Sequence, residues 1–143
     1  FMRRRKIWLA AGCIAAACII FFVWFFRPRP LIHDLETFQI GSIFYYENAT
    51  PYYTPAGKDV THETDAQELG KVLSSYECAA TPWPTGRYLM ADVVLEINCV
   101  HNRKALHIVL GKDNFCYEHA GATKYAILNG KELTEELLEM LNL

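Results

Sequence analysis

Ile7 to Phe26 is an unbroken run without a charged side chain, opened by Arg3-Arg4-Arg5-Lys6 and closed by Arg27-Pro28-Arg29-Pro30. At about 1.5 Å per residue it reaches about 30 Å, the hydrocarbon thickness of a bilayer, and so predicts a membrane-spanning helix. Beyond it the apolar positions recur with shorter periods. Thr37 to Tyr46 alternates, which predicts a strand with Phe38, Ile40, Phe44 and Tyr46 on one face. Asn48 to Gly57 reads as a connection. Thr64 and Gln67 fit a capping box, so a helix is expected from Asp65 to about Tyr76 with Leu69, Val72, Leu73 and Tyr76 as its buried stripe. Thr81-Pro82-Trp83-Pro84-Thr85-Gly86 should be irregular, because proline breaks helices and removes a donor from a central strand.

The sharpest pattern is Asp92 to Glu118. Val93, Leu95, Ile97 and Cys99 alternate with less apolar neighbours, and a two-residue turn at Asn102-Arg103 sets Cys99 opposite Leu106, Ile97 opposite Ile108 and Leu95 opposite Leu110. A tight second turn at Gly111 to Asn114 would set Leu110 opposite Phe115 and Ile108 opposite Tyr117, giving three antiparallel strands with one buried face. That register puts Cys99 and Cys116 on opposite faces and excludes a disulfide between them. Any bridge would use Cys78, with Cys99 as the favoured partner. Tyr125 to Leu128 reads as a further strand, Asn129-Gly130 as a type I′ turn into Lys131-Glu132-Leu133, and Thr134 as the cap of a last helix in which Leu133 packs on Leu138. Strand, helix, meander and helix predict an α+β fold, a two-layer domain of an antiparallel sheet packed by two helices, behind an N-terminal transmembrane helix.

Charge then orients the anchor. Four cations precede the apolar run and two follow it, so the N-terminus is expected in the cytoplasm and the bulk of the chain outside, with Trp8 and Trp24 near the two interfaces. The run ends in Phe25-Phe26-Arg27-Pro28, without the small residues a signal peptidase needs, so an uncleaved anchor is expected rather than a signal peptide. Ala11-Gly12-Cys13 resembles the end of a lipoprotein box, but Ile7 to Ala10 is a short apolar region for one. The predicted organisation is a tail at 1–6, a transmembrane helix at 7–26, a semi-rigid stalk at 27–30 and an extracytoplasmic domain at 31–143. That domain carries eight Lys and Arg against sixteen Asp and Glu, a formal charge of −8, which argues against nucleic acid as a partner. Cys78, Cys99 and Cys116 match no zinc or dithiol spacing, and neither a metal nor another cofactor is expected.

The anchor, the short proline-containing stalk and the closing Tyr125-Ala126-Ile127-Leu128-Asn129-Gly130-Lys131-Glu132-Leu133-Thr134-Glu135-Glu136-Leu137-Leu138 resemble small uncharacterised membrane-anchored proteins of Gram-positive bacteria. The resemblance implies an extracytoplasmic location and transfers no activity.

Two groups of residues stand out as candidate chemistry. The hairpin register puts Asn98, His107 and Glu118 side by side on the face opposite the apolar one, and a carboxylate beside an imidazole can orient it as a base or ligand. A polar trio on a solvated sheet face is equally an ordinary surface pairing. Tyr45, Tyr52, Tyr53 and Trp83 cluster near irregular connections, where aromatic rings anchor partners or stack on sugars, although packing at the sheet edge accounts for such residues too. The expected function is a membrane-tethered interaction or accessory domain with an envelope protein or glycan partner. The alternatives are a small enzyme or metal-binding domain using Asn98, His107 and Glu118, or an accessory subunit that associates through the small residues of its membrane helix.

Overall fold

A computed structural model describes residues 1–47, 56–84, 92–119, 121 and 123–143. Helix α1 (Met2–Phe25) takes in the cationic run as well as the apolar one, and none of its residues is buried. It is long and apolar enough to cross a membrane. The next element was not expected. Arg29–Pro30 forms a short strand, β1, paired with Cys78 and Glu77. Leu31 and Ile32 then enter the core, and the Leu31 N–H donates to the Tyr76 carbonyl at 2.8 Å. The spacer is therefore stitched to the sheet rather than standing as a free stalk.

The remaining strands are β2 (Gln39–Tyr45), β3 (Lys58–Asp59), β4 (Glu77–Pro84), β5 (Val93–His101), β6 (Lys104–Gly111), β7 (Phe115–Glu118) and β8 (Thr123–Ile127). They form one antiparallel, curled sheet in the order β1-β4-β8-β7-β6-β5-β2-β3. Helices α2 (Ala66–Ser74) and α3 (Gly130–Met140) bury Leu69, Leu73, Leu133 and Leu137 in a core shared with Ile43, Leu95, Ile97, Cys99, Ile108 and Leu110. The fold is the expected α+β arrangement of sheet and two helices behind an apolar helix.

The β5–β6 hairpin has the predicted register, with Leu95, Ile97 and Cys99 opposite Leu110, Ile108 and Leu106. Its turn residues Asn102 and Arg103 both have positive φ, 52° and 63°, as a type I′ turn requires. Elsewhere tertiary contacts override the local pattern. A bulge at Gly41 changes the phase of β2, so Ile43 and Tyr45 face the core and Phe44 pairs opposite Glu96 on the other side. A Cβ on Gly41 would lie 2.9 Å from the Asn98 carbonyl oxygen, an approach open only to glycine.

Asp65, not Thr64, caps α2, its carboxylate accepting from the Gln67 and Glu68 N–H groups at 2.8 and 3.2 Å. Tyr76 lies beyond the helix end and its hydroxyl donates to Glu136 at 2.6 Å. β4 runs through Pro82 to Pro84, against expectation, because β1 flanks only Glu77 and Cys78 and the rest of β4 has β8 as its assigned neighbour, an edge position where proline costs no ladder donor.

The second meander turn slips by one residue. Phe115 pairs with Val109, Cys116 with Ile108, Tyr117 with His107 and Glu118 with Leu106. The slip is held by Asn114, whose side-chain oxygen accepts the Gly111 N–H at 3.1 Å and whose carbonyl accepts the Ile127 N–H at 3.0 Å. Every β7 side chain consequently lies on the face opposite the predicted one. Val93, Val109 and Phe115, with Tyr46 and Tyr117 against them, make a second, smaller cluster on the outer face. Finally, Asn129 takes the left-handed conformation at φ 55° and α3 begins at once, so Lys131 to Leu133 are helical and Thr134 lies inside the helix, its hydroxyl donating to the Gly130 carbonyl at 2.8 Å.

Candidate functional site

The predicted polar trio is divided by the slipped register. Asn98 does lie opposite His107, and its side-chain amide donates to the Ser42 hydroxyl at 3.2 Å. Glu118 instead turns to the other face, beside Leu106, where Lys104 approaches it at 3.6 Å. The carboxylate that meets His107 is Glu96, with Oε1 at 3.5 Å from Nε2, and its Oε2 accepts the Tyr46 hydroxyl at 3.4 Å. Glu96 precedes Asn98 by two residues on the same strand face, which is the signal that could have singled it out. His107 is only 6% exposed. Its ring stacks on Tyr117 at 5.0 Å and meets His119 edge-on at 5.9 Å.

Burial lowers the His107 pKa from its ordinary 6.5. Glu96 pulls it upward, and His119 adds to the lowering. The imidazole is therefore neutral near pH 7, and its contact with Glu96 is polar rather than an ion pair. Burial, and then the Glu96 charge, raise the Tyr46 pKa. Of the aromatic group, Tyr45 is half-buried against the core, Trp83 is placed within β4 with its side chain outside the described residues, and Tyr52 and Tyr53 also lie outside them.

A second constellation had no continuous signal in the sequence. At the foot of α1 a cavity of about 400 Å³ is lined by Arg27 and Arg29, by His33, by His101 at the end of β5, by Cys116 and Glu118 of β7, and by Cys78 of β4, among others. Arg27 and Arg29 hold their guanidinium carbons 5.1 and 5.5 Å from the Trp24 ring centre. Arg29 donates from Nη2 to the Phe25 carbonyl at 3.3 Å, whereas its Nε is buried with no acceptor among the described residues. The His33 and His101 rings meet edge-on at 4.4 Å. His101 accepts the Asp34 N–H at Nε2, 3.1 Å away. Burial, then the neighbouring His33, lower the His101 pKa. The neutral ring thus carries its proton on Nδ1.

Cys78 and Cys116 both reach this cavity. The slipped register turns Cys116 inward, onto the same face as Cys99, which corrects the expectation of opposite faces. All the cysteines are nonetheless free thiols. The Cys116 thiol, hydrogen-bonding to Cys78, is the largest influence lowering the Cys78 pKa, against burial and with help from Arg29, while Cys116 is raised. Burial pushes Cys99 up to about 12. Among the described residues no cluster of three or more His, Cys, Asp or Glu side chains is arranged to hold a metal ion. No family model, curated protein or solved structure matches the chain.

Proposed function

We propose that the chain is a membrane-tethered, extracytoplasmic binding or accessory domain held in a set orientation against the bilayer surface. The observation that carries this reading is the continuity from α1 into the sheet. Only Phe26, Arg27 and Pro28 separate the helix from β1, β1 is paired to β4, and Leu31 and Ile32 are buried in the core. A domain joined this way presents its cavity, lined by Arg27 and Arg29, at the depth of the lipid headgroups. The excess of cations before the apolar run supports an outward-facing domain. The Glu96–His107 pair favours packing over catalysis, since the imidazole is buried, neutral and stacked between strands.

Lys112, exposed in the β6–β7 turn, is the place for a probe, because Cys78 and Cys116 are buried. A Lys112→Cys variant in intact cells is expected to react with a membrane-impermeant maleimide, and the full-length chain is expected to resist carbonate extraction. Labelling only after lysis would reverse the orientation, and recovery of a shortened, extractable chain would make α1 a signal peptide.

A further inference from the structure

We propose that the cavity at the foot of α1 is a phosphate site that takes the headgroup phosphate of an anionic phospholipid from the leaflet at that end of the helix. The inference deepens the tethered reading and rests on it for the supply of lipid.

Arg29 provides the first reason. Its side chain lines the cavity while its Nε–H is buried with no acceptor among the described residues, which costs free energy, and the guanidinium fork matches a phosphate better than any neutral group. Arg27 adds a second permanent cation within two residues, and both are held over the Trp24 ring instead of being free to wander. In a domain with a formal charge of −8, these two arginines make the foot of α1 a local exception. Position is the second reason, because Arg27 and Arg29 follow α1 directly and reach the depth where phosphates lie.

The remaining lining suits an ester rather than a bare ion. His101 keeps an N–H donor while neutral, and Leu106 and Tyr125 provide apolar surface for a glycerol backbone. The volume of about 400 Å³ is that of a small-ligand pocket. Glu118 is the opposing group. Its carboxylate also lines the cavity and is only partly offset by Lys104 at 3.6 Å, so it should weaken anion binding.

The test uses the full chain in neutral detergent micelles, with native mass spectrometry counting retained ligand. The probes are dihexanoyl phosphatidylglycerol, dihexanoylglycerol, which lacks the phosphate, and inorganic phosphate. The wild-type chain should retain one phosphatidylglycerol. Arg29→Gln and Arg27→Gln should each weaken retention about tenfold or more, Glu118→Gln should strengthen it, and Lys131→Gln, an exposed cation on α3, should leave it unchanged. Arg27 is exposed, so its variant reports on the site even if Arg29→Gln does not fold.

Equal retention by the arginine variants, or of dihexanoylglycerol and phosphatidylglycerol alike, would overturn the proposal. Displacement by inorganic phosphate at the same concentration would also overturn it, by making the site one for free phosphate. Failure of the tether itself shows up separately, in the maleimide labelling and extraction, and leaves this micelle measurement readable.

Discussion

At the scale of single residues, close backbone approach decides more than propensity. Gly130 begins α3, where alanine would ordinarily favour the helix by up to about 1 kcal/mol. A Cβ there would overlap the Asn114 Cβ, so the gain is outweighed. Gly130→Ala should destabilise the domain by about 1–3 kcal/mol in urea unfolding, the usual cost of overpacking. Asn114→Gly should relieve part of that cost, so the double variant should lose less than the two single losses added together. Full additivity would show that the two positions do not press on each other. Gly41 works similarly against Asn98, and there the requirement for glycine re-phases the whole strand.

At the scale of elements, β7 is the instructive case. Its four residues alternate well enough to fit either register, and the five residues between the paired Val109 and Phe115 settle which face goes inward. Asn114 sets that count by taking over the Gly111 N–H. In this register Cys116 is 2% exposed in the core, whereas Tyr117 is half-buried on the outer face. Cys116→Asp should therefore abolish cooperative unfolding, because an unpaired charge would enter the core. Tyr117→Asp should leave a folded domain with a lowered melting temperature. The opposite ranking of these two variants would restore the tighter turn.

At the scale of the whole molecule, a buried histidine, His107, and a partly buried one, His101, tie stability to pH. His101 and His107 both have folded pKa values lowered below the ordinary 6.5, chiefly by burial. The unfolded chain therefore binds more protons in that region. The stabilisation these two side chains retain is complete above pH 6.5 and is lost as the pH falls from there through the folded values. The melting temperature should be flat from pH 8 to 7 and decline between 6.5 and 5. His107→Gln should reduce the slope of that decline, whatever it does to stability at pH 7. An unchanged slope in both His107→Gln and His101→Gln would show that these imidazoles are not kept neutral by the fold.

What the sequence by itself determined was whatever depends on neighbours along the chain: the apolar length of α1, the alternation and two-residue turn of the β5–β6 hairpin, and the presence of two amphipathic helices against a sheet. A charge-free run and a strict two-residue period admit few alternatives. Only the tertiary structure decided the bulge at Gly41, the slip of β7, the strand made from Arg29–Pro30, the extended Pro82 to Pro84 and the early start of α3. Most turn on a contact between residues far apart in the chain, Gly41 with Asn98, Gly130 with Asn114, Arg29 with Cys78, and the β7 slip joins the local Asn114–Gly111 bond to a distant one with Ile127; local pattern holds no record of the distant contacts. The candidate site follows the same division. Asn98 and His107 met because a hairpin pairs them, whereas Arg29, His33, Cys78, His101 and Glu118 converge on one cavity only because the curled sheet brings the ends of separate strands to the foot of α1.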